Sequence, residues 1–278
     1  MLWGPRSNTP TLDSSSAAAT MPAMTTPAAE QSTSIDPAEV ERFRRLADDW
    51  WDPRGRMRPL HEIAPVRLGF IRSQACRHFG RATRAMRALD GLSVLDIGCA
   101  VGLVAEPMAR MGARVTAIDP GAELIAAARA HAAGSGLGID YRNSHVEALV
   151  AAREQFDLVL CLEVIEHVPD VGAFLATCAE LVAPGGLLIV STINRSLRAF
   201  ALAIVGAEYV LNWLPRGTHD WNRFVTPDEL AGHLAAQRLE IATERGMIFN
   251  PLSRGWSLSA DTGVNYFMTA RRPKGVHV

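Results

Sequence analysis

Cysteine is scarce in this chain, and its few cysteines follow no binding pattern. The 278 residues include four cysteines, at positions 76, 99, 161 and 178, and no C-x-x-C motif. This spacing excludes the common cysteine-rich zinc sites. The sequence also shows no signal-peptide pattern. We therefore expect a cytoplasmic protein whose thiols are reduced and buried as small apolar side chains.

A strong charge of one sign and long apolar runs are also missing. The formal net charge is −1, which provides no basic footprint for nucleic acid. No apolar run is long enough to predict a confident membrane span. Hydrophobic residues make up 48% of the chain, which is enough for a sizeable core in one domain.

The first 35 residues differ in composition from the rest of the chain. They are rich in Ser, Thr, Ala and Pro, and Arg6 is their only basic residue. Such a segment buries too little apolar surface to offset its conformational entropy, so we expect a disordered tail over 1–35. The folded domain is predicted over 36–273, with a helical cap at 36–90 and an apolar insertion at 195–217, after the fifth strand.

From Leu92 onward, strand and helix patterns alternate, which predicts an α/β fold with a mostly parallel sheet and helices on both faces. A turn over 183–186 precedes the fifth strand, and Thr226 with Glu229 forms a capping box that starts a helix. The predicted strands are seven, at 92–96, 114–118, 138–142, 156–161, 187–193, 239–248 and 263–271.

The first predicted strand leads into a turn of small residues, Asp96-Ile97-Gly98-Cys99-Ala100-Val101-Gly102. Open α/β sheets bind ligands at this edge, where the turn exposes backbone N–H groups. Asp119 ends the next strand, at the place of the acid that accepts hydrogen bonds from a ribose. The turn therefore predicts a site for an adenosine-bearing cofactor.

The spacing within the turn indicates which cofactor it holds. A dinucleotide site has the pattern G-x-G-x-x-G, whereas here Asp96, Gly98, Ala100 and Gly102 alternate with other residues. The Asp96 carboxylate would repel a pyrophosphate but attract a sulfonium or ammonium cation. We therefore predict that Asp96, Gly98 and Gly102 bind a cationic cofactor, and we expect helical or bridge-region angles at Ala100. An ordinary strand-to-helix turn is the alternative.

Two carboxylates and an imidazole follow the fourth predicted strand. If this segment is helical, Glu163, Glu166 and His167 stand at i, i+3 and i+4 and share one face. Such a face can bind a divalent metal ion, or it can be the solvated start of a helix. The spacing by itself favours the solvated start.

Several segments resemble known families. The turn is similar to the first motif, D-x-G-x-G-x-G, of the class I S-adenosylmethionine-dependent methyltransferases, with Ala100 in place of the middle glycine. Over about residues 36–271, the chain resembles the ubiquinone-biosynthesis O-methyltransferases, with Ala64 where that family usually has Asn. The matching segments are 43–53, 59–68, 163–169, 191–195, 217–221 and 265–266.

The resemblance implies a fold, a cofactor and roles for individual residues. The fold is the Rossmann-like, seven-stranded class I methyltransferase sheet, whose last strand is antiparallel. Arg67, Gly98, Asp119 and Leu162 match positions that contact S-adenosylmethionine, with Arg67 on the methionine carboxylate. Without the resemblance, Arg67 would be interpreted as a solvated helix charge. The matching metal ligands (commonly of Mg²⁺) and catalytic residues are Glu163, Glu166 and His167.

The implied activity is methyl transfer from S-adenosylmethionine to the phenolic oxygen of polyprenylated catechols. A divalent ion on both catechol oxygens would lower the phenol pKa, which is ordinarily about 10. In the metal-free state, His167 is a candidate for the base that would activate the phenol instead. Another small-molecule methyltransferase and a non-catalytic S-adenosylmethionine-binding scaffold remain alternatives, and the turn spacing disfavours a dehydrogenase.

The apolar segment 197–214 predicts either a buried helix or a lid at a membrane. Arginines at 195, 198 and 216 flank it, and they can contact anionic lipids at the inner face of the cytoplasmic membrane. A lid of this kind suits a substrate with an isoprenoid tail. A complex for ubiquinone biosynthesis is a further expected partner.

Overall fold

The computed structural model of the protein describes residues 1, 4, 34–44, 50–55, 57–199, 221–250 and 255–275. The chain divides into two units, Met1–Ser32 and Thr33–Val278, and every structural statement below concerns the second. Most of the tail predicted at 1–35 and most of the insertion predicted at 195–217 lie outside the described residues.

The domain is built around one sheet, whose strands are β1 Ser93–Ile97, β2 Arg114–Asp119, β3 Asp140–Asn143, β4 Phe156–Leu162, β5 Val182–Ile193, β6 Glu240–Asn250, β7 Gly255–Ser259 and β8 Asn265–Arg271. Their order across the sheet is β3-β2-β1-β4-β5-β8-β6-β7. The strands β1 to β5 pair in parallel, whereas β8 is antiparallel to both β5 and β6. The predicted mostly parallel α/β sheet with an antiparallel last strand is confirmed.

Among the described residues the sheet has eight strands, so the prediction of seven is wrong by one. The additional strand, β7, is five residues long and pairs with β6 as an antiparallel ribbon at the edge of the sheet. So short a segment predicts a strand only weakly, and its pairing partner decides its conformation. The turn predicted over 183–186 is a bulge within β5, because Phe156 pairs with Val182 and Leu158 already pairs with Leu187.

Helices cover both faces of the sheet, as predicted. They are α1 Pro37–Arg44, α2 Arg58–His78, α3 Ala105–Arg110, α4 Ala122–Gly134, α5 Val146–Ala151, α6 Val171–Glu180, α7 Leu197–Ala199 and α8 Pro227–Ala236. Buried residues of α2, α3 and α4 pack in one apolar cluster, and those of α5, α6 and α8 pack in another. The capping box of Thr226 and Glu229 is confirmed at the start of α8. Helix α5 was not predicted.

The parallel topology positions the candidate site. The carboxyl ends of β1, β2 and β4 meet at one edge of the sheet, where Gly98, Asp119 and Glu163 lie. Helix α2 packs across the neighbouring face, with the ring of Phe70 stacked 4.5 Å from that of Phe267 on β8. None of the described helices combines the length and the apolar character that crossing a membrane requires.

Candidate active site

Three alternate residues of the turn after β1 have positive φ angles. Gly98, Ala100 and Gly102 have φ angles of +68°, +46° and +92°. The N–H groups of Gly98 and Cys99 donate to the carbonyl oxygen of Ile118 at 2.9 and 3.0 Å, which ties the turn to β2. The expectation of helical or bridge-region angles at Ala100 is wrong, because this turn needs positive φ at each of these alternate positions. An L-residue in that region carries about 1–2 kcal/mol of strain.

Both glycines of the turn also lack room for a side chain. A Cβ atom on Gly98 would lie 2.6 Å from Cγ2 of Val164, and one on Gly102 would lie 2.1 Å from the hydroxyl oxygen of Tyr141. The turn is thus held between the loop after β4 and the strand β3. Glycine is required here for space as well as for its backbone angles.

Two buried side chains of opposite charge lie in this site, and in each of them one polar atom has no hydrogen-bond partner among the described residues. Asp96 on β1 and Arg67 on α2 are buried, and Oδ2 of Asp96 and Nε of Arg67 have no hydrogen-bond partner among the described residues. Burial raises the pKa of Asp96 to about 7, against an opposing effect of the Arg67 charge and with a further rise from Asp119. An ammonium group at Asp96 and a carboxylate at Arg67 would satisfy both atoms. An α-amino acid moiety, such as that of S-adenosylmethionine, carries both groups, so these residues fit the predicted cofactor.

Asp119 supports the turn and retains hydrogen-bonding capacity. Its Oδ2 accepts from the N–H of Ala100 at 3.0 Å, and its Oδ1 accepts from the N–H of Gly121 at 2.8 Å. Burial raises the pKa of Asp119, and these two N–H groups offset part of the rise. A carboxylate has about four acceptor positions, so two remain for ribose hydroxyls. Leu162, which is buried, ends β4 at the same edge of the sheet.

The carboxyl groups of Glu163 and Glu166 lie close enough after β4 to interact electrostatically. Oε1 of Glu163 accepts from the Ser191 hydroxyl at 2.8 Å and from Nη2 of Arg67 at 3.1 Å. Oε2 of Glu166 accepts from the Thr192 hydroxyl at 2.8 Å. Burial, together with the charge of Glu163, raises the pKa of Glu166 well above its ordinary value, which favours the protonated form of Glu166. Glu163 has a φ of +54°, a strained conformation of the kind found at functional sites.

His167 does not join the two carboxyl groups in a metal-binding cluster. Its Nδ1 lies 2.9 Å from Oε2 of Glu39 on α1. The segment Ile165–His167 is a 3₁₀ turn, so the helical face on which the i, i+3, i+4 prediction depends does not form. In the part of the chain that the structure describes, no three His, Cys, Asp or Glu side chains are close enough to hold a metal ion. As placed, Glu163, Glu166 and His167 do not fit the predicted Mg²⁺ site.

Several residues of this site were not predicted as part of it. Glu39 lies on α1, far from this site in the sequence, and its carboxylate contacts His167. Tyr141 and Val164 gave no sequence signal, because they touch the turn from distant elements. The segment 43–53 of the family resemblance was one indication of these contacts, because Trp50 packs against the turn. The residues that pack together there are Trp50, Met57, Ala100, Val101 and Leu124.

Comparisons with known proteins agree with this geometry. Residues 95–190 match a family model described as a methyltransferase domain. The ubiquinone biosynthesis O-methyltransferase of Rhodopseudomonas palustris strain BisB18 is 55% identical over 244 residues, which cover 88% of this chain and 96% of that protein. The protein of the same name from Bradyrhizobium diazoefficiens is 53% identical over 246 residues, which cover 88% of this chain and 97% of that protein. The chain belongs to the ubiquinone biosynthesis O-methyltransferases.

Membership of this family makes the chain an S-adenosylmethionine-dependent O-methyltransferase. This decides against a dehydrogenase and against a non-catalytic scaffold. A solved structure of magnesium protoporphyrin IX methyltransferase from Synechocystis PCC 6803 with bound S-adenosylmethionine shares the fold, with a TM-score of 0.54 at 18% identity. The match covers 84% of this chain and 97% of that one.

Proposed function

We propose that this enzyme transfers a methyl group from S-adenosylmethionine to a phenolic oxygen of polyprenylated catechols in ubiquinone biosynthesis. The names of its relatives point to the pathway. The observation that carries the proposal is that Arg67 lies between the predicted cofactor site and the carboxyl groups of Glu163 and Glu166. Its Nη2 lies 3.1 Å from Oε1 of Glu163, whereas its buried Nε has no partner among the described residues. The cofactor residues therefore adjoin a pair of carboxyl groups suited to an acceptor with two hydroxyls.

On the donor side, six residues bind the cofactor in this proposal. Arg67 binds the methionine carboxylate and Asp96 the ammonium group, which satisfies the two unpartnered atoms and forms charge-assisted hydrogen bonds. Asp119 accepts from the ribose, Gly98 and Gly102 allow the close approach of the turn, and Leu162 lies against the adenine.

On the acceptor side, the catalytic residues are Glu163, Glu166 and His167. A free phenol has a pKa of about 10, so forming the phenolate at neutral pH costs about 4 kcal/mol. Glu163 and Glu166 hold the two catechol hydroxyls, and His167 takes the proton of the attacking oxygen. The new C–O bond forms as the methyl–sulfur bond breaks, and the sulfonium becomes a neutral thioether. Orientation of donor and acceptor supplies much of the rate.

Magnesium remains a prediction of the family resemblance. When bound, Mg²⁺ would supply charge stabilisation to the phenolate. The described residues do not assemble its site, so the chemistry above is assigned to side chains alone. Exhaustive chelation followed by Mg²⁺ addition tests this. Full activity after chelation would remove the metal from the proposal.

The membrane contact stays a prediction as well, because residues 200–220 lie outside the described part of the chain. What supports it is the apolar character of 197–214 in the sequence, with arginines at 195, 198 and 216 beside it. Co-sedimentation with anionic liposomes should fall when 197–214 is deleted. Equal binding by both proteins would remove the lid from the proposal. We also propose a ubiquinone-biosynthesis complex as a partner of this enzyme.

The experiment that tests the function uses purified protein, S-adenosylmethionine and a short-tailed prenyl catechol. We expect a product heavier by one methylene unit, formed with stoichiometric S-adenosylhomocysteine. Glu163→Gln and Glu166→Gln should each lower kcat by about 10²-fold or more, and Glu180→Gln, at the end of α6, is the matched control. Methylation of unrelated amines or thiols at the same rate as the catechol would contradict the proposed acceptor.

A further inference from the structure

One residue near the candidate active site has a buried oxygen that the proposed function does not use. Asn265 begins β8, where its backbone pairs with Ile193 of β5 on one side and with Met247 of β6 on the other. Since β8 is antiparallel to β5, Asn265 lies at the edge of the sheet where β5 ends. Its Oδ1 is buried and has no hydrogen-bond partner among the described residues. A buried carbonyl oxygen without a partner lowers the free energy of unfolding, so it calls for an explanation.

The register of the sheet places Asn265 beside the group that holds Glu163. Ser191 of β5 pairs with Phe267 of β8. Asn265 is two residues from Phe267, so both side chains lie on the same face of the sheet. Ser191 and Asn265 are therefore diagonal neighbours, with about 7–8 Å between their Cα atoms. The Ser191 hydroxyl donates to Oε1 of Glu163 at 2.8 Å, which puts Asn265 next to the acceptor side of the site.

The same face of β8 lies toward helix α2. The ring of Phe267 stacks on that of Phe70 of α2, with the centroids 4.5 Å apart. Arg67, three residues before Phe70 on α2, donates from Nη2 to Glu163 at 3.1 Å. Asn265 is thus on the side of the sheet on which Arg67 and Glu163 meet, and pairing with strands on both sides holds its backbone in place.

The chemistry of the amide oxygen limits what it can recognise. Oδ1 of an asparagine is only an acceptor, so its partner must bring an O–H or N–H group. In the proposed function, Glu163 and Glu166 hold the two hydroxyls of the catechol, and neither hydroxyl is left for Asn265. The separation of about 7–8 Å between Ser191 and Asn265 is comparable with the length of an aromatic ring and its substituents. The partner that fits is a further hydroxyl, on the far side of the acceptor ring.

We propose that Asn265 is a specificity-determining residue, which accepts a hydrogen bond from a ring hydroxyl outside the catechol pair. The proposal rests on the proposed function, in which the catechol lies at Glu163 and Glu166. An acceptor with this hydroxyl gives the buried oxygen its partner, whereas an acceptor without it leaves the oxygen unpaired. Sites built in this way discriminate strongly against the analogue that lacks the hydroxyl.

The kinetic test compares two short-tailed prenyl acceptors, both kept reduced with ascorbate. One is a catechol, and the other is the benzenetriol with a further hydroxyl para to one catechol hydroxyl. In the wild type, kcat/KM should favour the triol by about 10-fold or more. Asn265→Leu, which has a similar volume without the amide, should bring the two values within twofold of each other and change the KM for S-adenosylmethionine by less than twofold. An unchanged ratio in this variant would overturn the proposal.

Thr269 provides a matched control on the same strand. It lies four residues from Asn265 on the same face of β8, it is fully buried, and its Oγ1 also has no partner among the described residues. It pairs with Ile189, farther from the edge of the sheet where the site lies. Thr269→Val should therefore keep the wild-type ratio of the two acceptors, and loss of the ratio in this variant as well would contradict a specific role for Asn265.

The stability of the two variants separates recognition from a structural role. Asn265→Leu and Thr269→Val each remove a buried oxygen that has no partner, so each should raise the urea midpoint of the ligand-free enzyme. A structural hydrogen bond of Asn265 would have the opposite effect. A clear fall in the midpoint of Asn265→Leu would therefore refute the proposal.

Calorimetry with S-adenosylhomocysteine in place of the methyl donor tests the contact without catalysis. The wild type should bind the triol about 10-fold more tightly than the catechol, and Asn265→Leu should bind both with Kd values within twofold. If this difference is found in a protein that methylates neither acceptor, the error lies in the proposed function. Equal binding of the two acceptors by the wild type, or binding of neither, would rule out the role of Asn265 even if the enzyme methylates catechols.

Discussion

Because burial raises the pKa of Asp96, we predict that its ionised carboxylate lowers the free energy of unfolding of the ligand-free protein. The same carboxylate is the group that binds the cofactor. A shift from 3.8 to about 7 corresponds to about 4 kcal/mol of differential free energy. The folded protein holds this proton more tightly than the unfolded chain does. The contribution of Asp96 to the free energy of unfolding is therefore complete below pH 3.8 and is lost as the pH rises to about 7.

Asp96→Asn removes this dependence, because an amide resembles the protonated carboxyl group. At pH 8 and without ligand, the variant should be more stable than the wild type by up to about 4 kcal/mol, and at pH 4 the difference should nearly vanish. Urea unfolding from pH 4 to 8 measures this. Asp119 and Glu166 also have raised pKa values, so the difference between variant and wild type, and not the wild-type curve alone, reports Asp96.

The same variant should bind S-adenosylmethionine poorly. Loss of a carboxylate that faces a buried cation costs roughly 2–5 kcal/mol, or about 30-fold or more in Kd by calorimetry. In the wild type, affinity should rise with pH up to about 7, with release of a proton on binding, since the ammonium group favours the ionised form. Asp140→Asn, at an exposed carboxylate on β3, is the control. A flat difference curve, or a Kd for Asp96→Asn within threefold of wild type, would refute the reasoning.

Three further substitutions test the geometry of the site. Arg67→Lys keeps the charge but loses the planar fork, so the Kd for S-adenosylmethionine should rise at least about 10-fold; an unchanged Kd in calorimetry would contradict the assigned carboxylate contact. Ala100→Gly relieves the strain of a φ of +46° and should raise the free energy of unfolding, measured in urea, by up to about 1 kcal/mol. This figure already deducts the greater entropy of glycine in the unfolded chain. A clear loss of stability would show that Ala100 is not strained. Gly102→Ala brings a Cβ within 2.1 Å of the Tyr141 hydroxyl and should lower the free energy of unfolding by about 2–4 kcal/mol in the same assay. Adding Tyr141→Phe should restore part of this loss. If it restores none, the clash is not with the Tyr141 hydroxyl.

The class of fold and the edge of the sheet at which the cofactor binds could be predicted from local sequence patterns. The turn from Asp96 to Gly102 and the acid at Asp119 were identified because strand, turn and helix signals follow one another within about 25 residues. Arg67 was predicted only through the family resemblance, since a single arginine on a helix has no distinguishing local pattern. Strand β7 was missed because its five residues acquire their conformation from the pairing with β6.

The acceptor side could not be predicted to the same extent. The spacing of Glu163, Glu166 and His167 suggested one helical face, but a φ of +54° at Glu163 and a 3₁₀ turn over Ile165–His167 replace it. Those conformations depend on contacts with Ser191, Thr192 and Arg67, which come from other elements. The partner of His167 lies on α1, at the far end of the chain.

The sequence by itself therefore determined seven of the strands with the helices between them, the cofactor turn and the identity of the ionisable residues, because each of these depends on neighbours within a few positions. Only the tertiary structure decided which carboxyl groups have a raised pKa, which polar atoms have no partner among the described residues, and which nitrogen of His167 meets a carboxylate. Burial and long-range contacts set the pKa of a carboxyl group and the direction of a side chain, and neither is encoded in local spacing.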